Sequence, residues 1–201
     1  MTKLDLTRDL RELYRATTRP VIVDVPKLRY AMLDGHGDPA TEPGYRAAVE
    51  ALYAVSYAAK FAVKRSGGPD CKVMPLEGLW WALDMAAFRT GDRAAWQWTL
   101  LIAQPDPVTA GVFEAARDDA AARHGADPIA RVRLETLAEG QAAQVMHVGS
   151  YSAEGPTIER LHAFIAEQGL DPVGRHHEIY VSDPRRTAPE RLRTIIRQPV
   201  A

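Results

Sequence analysis

The predicted secondary-structure elements of this chain occur in the same order twice, and this repeat restricts the fold more than any other feature. In each half an extended segment reaches a glycine turn, a long helix follows, and a two-stranded hairpin ends before a proline. The order predicts an α+β fold of two pseudo-repeats, about residues 20–105 and 106–201, after an N-terminal helical extension over residues 1–19. Two such halves would face each other across a cleft, a common place for a ligand.

Hydrophobic periodicity and turn residues predict the individual elements. Helices are predicted over residues 5–16, 44–64, 106–124 and 155–168. Strands are predicted over residues 21–25, 30–34, 72–83, 95–104, 130–136, 141–148, 175–182 and 193–199. Asp106 and Pro107 supply an N-cap and a first-turn proline for the third helix, and Gly125 supplies its C-cap. These elements predict antiparallel sheets with helices on one face. When the halves are aligned by this order, Glu77 matches Glu178.

The closing strand over residues 176–182 carries the sharpest pattern. With a period of two, His176, Glu178 and Tyr180 share one face, while His177 and Ile179 share the other. Apolar Ile179 suggests that the second face is the one covered by helices. The first face then presents an imidazole, a carboxylate and a phenol side by side, either as an ordinary solvated sheet face or as part of a site.

All four tryptophans of the chain lie in one predicted hairpin of the first half: Trp80, Trp81, Trp96 and Trp98. Because Trp80 and Trp81 are adjacent in a strand, they cannot both be buried in the same layer. We therefore expect at least one of them on the face opposite the helices, near Glu77. A carboxylate among aromatic rings is suited to be the counter-ion of a planar cation, or, with a pKa raised by desolvation, a general base or acid. The pattern does not choose between binding and catalysis.

Charge and composition exclude several other classes. The net charge of −1 provides no basic field for nucleic acid, and no apolar run is long enough to span a membrane. His176 and Glu178 offer two metal ligands without a third, so we predict neither a metal site nor a cofactor. The single Cys71 fits a buried position in a cytoplasmic protein.

Several segments resemble the stand-alone GyrI-like proteins, a resemblance that covers the chain from about residue 21 to its end. The segments are Glu77-Gly78-Leu79-Trp80-Trp81, Trp96-Gln97-Trp98, Gly149-Ser150-Tyr151, and the run from His176 through Pro184-Arg185-Arg186 to Pro199-Val200. The resemblance implies two SHS2-type modules with a ligand cleft between them. It also implies relatives that sense cationic aromatic drugs, and a tryptophan-rich subgroup that includes cyclopropanoid cyclopropyl hydrolases, which detoxify DNA-alkylating natural products and so confer resistance.

If the chemistry of that subgroup carries over, the resemblance implies the following roles. The catalytic residues would be Glu178, Tyr180 and Glu77, and the ligand-binding residues Trp80, Trp81, Trp98, His176 and Tyr151. The partner would be a small aromatic molecule, and activated water would open its strained ring. A non-catalytic binder or sequestering protein is the alternative, and a gyrase-modulating interaction protein a further one. The predicted helix over residues 5–16 is too little for a DNA-binding helix-turn-helix.

Overall fold

The computed structural model describes residues 3–84 and 90–201, so Met1, Thr2 and residues 85–89 lie outside the described part. The chain divides into two compact units. The first consists of Leu28–Leu137 with the segment that ends at Leu6, and the second of Thr7–Lys27 with Ala138–Ala201. The predicted halves, 20–105 and 106–201, do not coincide with these units. The reason is that strand 21–25 pairs with a strand of the second unit, whereas the helix after residue 106 packs in the first.

The first unit contains a four-stranded antiparallel sheet, a separate pair of short parallel strands and two long helices. Its strands are β1 (Lys3–Leu4), β3 (Leu28–His36), β4 (Asp70–Cys71), β5 (Glu77–Ala82), β6 (Trp96–Gln104) and β7 (Arg133–Leu137), and its helices are α3 (Pro43–Arg65) and α4 (Ala110–His124). The sheet has the order β5-β6-β3-β7, and β1 pairs with β4 in a separate parallel bridge. Helix α3 covers the face that carries Trp98 and Gln104, since Gln104 donates a hydrogen bond to Ser56 of that helix.

The second unit repeats this plan with a shorter helix. Its strands are β2 (Val21–Val25), β8 (Gly140–Val148), β9 (His176–Tyr180) and β10 (Arg193–Pro199), and its long helix is α5 (Gly155–Glu167). The short turns α1 (Leu6–Asp9) and α2 (Arg11–Tyr14) precede β2. The antiparallel order is β2-β8-β10-β9, so each unit follows one strand with a helix and a pair of strands. The predicted α+β fold is therefore confirmed.

Equivalent backbone hydrogen bonds fix the correspondence between the units. The amide of Gly37 donates to Trp96 O, and that of Gly149 donates to Leu192 O. Counting along the ladders from these bonds makes Gly35 equivalent to His147, Trp98 to Thr194, Trp80 to Tyr180 and Glu42 to Glu154. Glu77 is then equivalent to His177, and Glu178 to Gly78. The predicted match of Glu77 with Glu178 is wrong by one residue, because strand pairing rather than the shared letter sets the register.

Several element boundaries differ from the predictions. Helix α4 starts at Ala110, where Thr109 Oγ1 accepts from the Val112 amide, and not at Asp106-Pro107. The predicted strand 72–83 is shorter in the structure, where only β5 (Glu77–Ala82) falls within it and β4 (Asp70–Cys71) ends before it. The predicted helix 5–16 divides into α1 and α2. Gly125 ends α4 with a φ of +95°, as expected for a C-cap glycine. Among the described residues no helix combines the length and apolar character needed to cross a bilayer.

Candidate functional site

Strand β9 brings three of the predicted site residues together. The Tyr180 hydroxyl donates a 2.8 Å hydrogen bond to Glu178 Oε2. His176 Nε2 lies 3.2 Å from Glu178 Oε1, and the carboxylate can only accept, so this nitrogen donates. The side chains of His176 and Glu178 are 14 % and 13 % exposed. The alternation expected from the sequence therefore holds, and Glu178 is a largely buried carboxylate with hydrogen bonds to both of its oxygens.

The face that carries Glu178 is covered by helix α5, which corrects the prediction. Ile196 lies directly across from Glu178 and packs in one cluster with Leu161 and Ile165 of the helix. His177 and Ile179 point to the other face. There His177 and Arg197 bind the buried Glu139, at 2.9 Å and 3.2 Å, and both charges hold the pKa of that carboxyl at about 2 against the effect of burial. The apolar residue Ile179 was a poor guide, because its own face of the strand is fully buried although α5 covers the opposite face.

Glu154 adds a second carboxyl group to the Glu178 face. It directly precedes α5 and is only 5 % exposed, yet its side chain makes no capping bond to the helix. In the described structure Glu154 Oε1 has no hydrogen-bond partner. Burial, and then the negative charge of Glu178, raise the pKa of Glu154 to about 9, with the Thr194 hydroxyl opposing the shift. The Glu154 carboxyl group therefore keeps its proton at neutral pH, beside the hydrogen-bonded Glu178.

His147 holds the turn that delivers Glu154. Its ring Nε2 lies 3.1 Å from the carbonyl oxygen of Ser150, and its Nδ1 lies 3.0 Å from Thr157 Oγ1. A carbonyl oxygen only accepts, so Nε2 carries the hydrogen and Nδ1 accepts from the Thr157 hydroxyl. Gly149, with a φ of +146°, lets the chain turn directly over this imidazole. The turn is thus fixed at both ends, before and after Glu154.

Tyr151, in the same turn, brings a second phenol to the carboxyl pair. Its ring meets that of Tyr180 edge to face, with centroids 5.6 Å apart. Partial burial, and then the charges of Glu154, Glu178 and Asp183, raise the pKa of Tyr151 to about 12. The phenol therefore remains protonated and can donate a hydrogen bond to a bound molecule. His176, described above, also interacts with His162 of α5. Burial, and then the charge of His176, lower the pKa of His162.

Two of the predicted site residues of the first unit, Trp80 and Trp98, lie in an aromatic cluster. Trp80 and Trp98 are cross-strand partners on the α3 face, and Tyr45 packs on both, at 6.2 Å and 5.3 Å between ring centroids. Trp81 and the fully buried Glu77 point to the opposite face, as expected for one of the two adjacent tryptophans. That these residues serve the same site as Glu178, in a cleft between the halves, stays a prediction.

Glu154 is the residue that the sequence analysis missed. A glutamate immediately before Gly155-Pro156 has the pattern of an ordinary solvated helix cap, and its equivalent Glu42 is one: Glu42 Oε1 accepts from the Gly44 amide at 3.2 Å. The one available signal was the repeat itself, which places the two glutamates at equivalent helix starts. Within residues 3–84 and 90–201 no cluster of three potential metal ligands occurs.

Comparison with known proteins gives the class of the molecule. The model of the GyrI-like small molecule binding domain matches residues 18–201. A conserved uncharacterised protein from Listeria innocua is 38 % identical, with a TM-score of 0.91 over 98 % of this chain and 100 % of the other. A hydrolase from Listeria innocua is 37 % identical, with a TM-score of 0.89 over 100 % of both chains. The C-terminal domain of EcmrR shares the fold alone, at 9 % identity and a TM-score of 0.56 over 91 % of this chain and 97 % of the other.

No curated protein matched the chain. The family match over residues 18–201 places the chain in the class of small-molecule-binding domains. More specifically, the chain belongs to the GyrI-like family.

Proposed function

We propose that this protein is a hydrolase that opens strained, electrophilic rings of polycyclic aromatic compounds and thereby detoxifies them. The observation that carries the proposal is the pair formed by Glu178 and Glu154: burial and the charge of Glu178 raise the pKa of Glu154 to about 9, and Glu178 accepts hydrogen bonds from His176 and Tyr180. Two carboxyl groups with separated pKa values are the usual means of performing base and acid catalysis at one pH. The description of the Listeria innocua relative as a hydrolase supports the same reaction class.

In the proposed reaction Glu178 acts as the general base. It removes a proton from a water molecule, whose oxygen forms a bond to the strained ring carbon. The ring carbon–carbon bond breaks, and its electron pair passes through the conjugated system to the carbonyl oxygen, which becomes a phenolate. That oxygen takes a proton from Glu154. Water is thus added across the broken bond, and transfer of the proton from Glu178 to Glu154 restores the starting state.

The two phenols have different roles in this proposal: Tyr151 donates to the developing oxyanion, and Tyr180 orients the base. Tyr151 remains protonated because burial and the neighbouring carboxylates raise its pKa to about 12, so it can donate but not lose its proton. Tyr180 donates to Glu178 Oε2 and orients the base. A hydrogen-bond donor aimed at a developing negative charge typically lowers the barrier by about 3–4 kcal/mol. Tyr151 therefore supplies stabilisation of the kind that ring opening requires.

Turnover of a duocarmycin-type cyclopropanoid, followed by mass spectrometry for the water adduct, tests the proposal. Glu178→Gln keeps the shape of the side chain but removes the base, so we expect turnover to fall by about 10²–10⁴-fold. Glu154→Gln should also reduce turnover, because the amide cannot supply the proton. Glu167→Gln, on the exposed end of α5, is the matched control and should leave turnover unchanged.

Two outcomes would overturn parts of this assignment. Equal turnover by wild type and Glu178→Gln would remove Glu178 from the reaction. Saturable binding of the probe without any water adduct would exclude catalysis on this substrate class and leave the alternative, a sequestering protein for aromatic or cationic drugs.

A further inference from the structure

Helix α3 carries an aromatic strip on the face that points away from its sheet. The buried face of the helix includes Leu52, Val55 and Ala59. On the opposite face lie Tyr53, Tyr57 and Phe61, and the last two are 48 % and 47 % exposed. The solvent face of a surface helix ordinarily consists of charged and polar residues. Three aromatic side chains in its place therefore require an explanation.

The three rings of the aromatic strip contact one another in sequence. The ring centroids of Tyr53 and Tyr57 are 6.4 Å apart, and those of Tyr57 and Phe61 are 6.5 Å apart. Spacings of four residues place the rings on successive turns, so the strip extends for about 12 Å along the helix. A contiguous apolar patch, unlike a single exposed ring, is typical of a surface that binds another protein.

We propose that the aromatic strip is the interface of a homodimer, in which α3 packs antiparallel against α3 of a second copy around a two-fold axis at Tyr57. A two-fold interface requires that if residue i contacts residue j, then j contacts i. The strip meets this condition, because Tyr53 and Phe61 lie four residues before and after Tyr57. In the dimer each Tyr53 faces Phe61 of the second copy, and the two Tyr57 rings meet on the axis.

The charged residues at the ends of the strip favour the same arrangement. Glu50 lies seven residues before Tyr57 and Lys64 seven residues after it, and both are exposed. Within one chain they are about 21 Å apart along the helix and do not interact. Arg46 holds Glu50 Oε1 at 2.9 Å, yet the glutamate side chain remains 65 % exposed.

Antiparallel pairing brings each Glu50 against Lys64 of the second copy and forms two ion pairs. Parallel pairing would instead oppose Glu50 to Glu50 and Lys64 to Lys64. The charges thus select the direction of the pairing as well as the partner.

Cysteine cross-linking tests the position of the axis in the full-length protein. Tyr57→Cys places two thiols on the axis, so mild oxidation should yield a covalent dimer. Tyr53→Cys is the control, because its thiol faces Phe61 and should not link to its own copy; a mixture of Tyr53→Cys and Phe61→Cys chains should link. Native Cys71 is 2 % exposed and burial raises its pKa, so it does not compete.

Charge exchange tests the direction of the pairing by analytical ultracentrifugation. Glu50→Lys and Lys64→Glu should each weaken the dimer by about tenfold, since each replaces two attractive pairs with two repulsive ones. The double variant should recover wild-type association. A wild-type chain that sediments as a monomer at high concentration, or oxidised Tyr57→Cys that stays monomeric, would overturn the proposal, as would a double variant as weak as the singles.

Discussion

The two units place different chemistry at equivalent positions of the same framework. In the first unit, Gly35 leaves room for the Trp98 ring, and Tyr45 packs on the rings of both Trp98 and Trp80. In the second unit the equivalents of Gly35, Trp98, Tyr45 and Trp80 are polar or phenolic. In the same order they are His147, Thr194, Thr157 and Tyr180. Glu178 replaces Gly78, and Glu154 replaces Glu42. One unit therefore fills the space beneath the start of its helix with aromatic rings, whereas the other fills it with ionisable groups.

This difference shows how a duplicated fold acquires a site. The backbone of a repeat can remain the same while one copy provides stability and the other accepts the energetic cost of buried polar groups. We therefore expect substitutions in the aromatic unit to affect mainly the free energy of unfolding, and those in the polar unit to affect mainly its pH dependence.

The largest effect should come from Trp98→Ala. Trp98 is 1 % exposed and contacts Tyr45 at 5.3 Å, so its removal leaves a large cavity and should lower the free energy of unfolding by about 3–5 kcal/mol. Urea unfolding followed by far-UV circular dichroism measures this loss. Thr194→Ala, at the equivalent position of the polar unit, is the control and should lower the free energy of unfolding by only about 1 kcal/mol. Equal losses for the two variants would contradict the division between the units.

The second largest effect should come from Glu154→Gln, which should change how the free energy of unfolding depends on pH. The pKa of Glu154 rises from 4.5 to about 9 on folding, so its contribution to stability is fully present below pH 4.5 and is lost as the pH rises towards 9. Glutamine does not titrate and keeps the neutral shape. The variant should therefore be more stable than wild type, and the difference in the free energy of unfolding should grow with pH to a few kcal/mol near pH 8.

Urea unfolding of wild type and variant across this pH range measures the difference in free energy. Glu42→Gln, the equivalent substitution in the aromatic unit, should show no comparable pH dependence. A pH-independent difference for Glu154→Gln would mean that Glu154 is ionised in the folded protein, and the proposed acid would be lost with it.

The smallest effect should come from Glu42→Ala. Glu42 accepts a hydrogen bond from the Gly44 amide at the start of α3, and loss of a capping group typically costs about 0.5–1 kcal/mol. Thermal unfolding would measure the change against Glu114→Ala, an exposed glutamate within α4 that caps nothing. If Glu42→Ala changed the pH dependence of stability instead, the two helix starts would be more alike than we infer.

The sequence predicted the repeat and the grouping of His176, Glu178 and Tyr180, because both follow from local periodicity. The predictions from the sequence were wrong where the position of a side chain depends on pairing between strands that are distant in the chain. The one-residue error between Glu77 and Glu178 could be removed only by the hydrogen bonds of the ladders. That α5 covers the face of Glu178 follows from the packing of Ile196 against the helix. Ile196 is paired with Glu178 on the neighbouring strand but is distant from it in the chain.

Glu154 was missed for a different reason. Acidic residues before a helix are usually solvated caps, so the residue type carries no sign of burial. Its burial follows from the turn that His147 holds through Ser150 and Thr157, an arrangement of three residues that no local pattern encodes.

The confinement of all four tryptophans to the first unit has an optical consequence. The tryptophan emission of the protein originates in that unit, and the rings of Trp80 and Trp96, 5.8 Å apart and nearly perpendicular, are close enough for exciton coupling in circular dichroism. Far-UV circular dichroism reports on the backbone of both units. Emission and backbone signals that diverge during unfolding would therefore identify which copy of the repeat opens first.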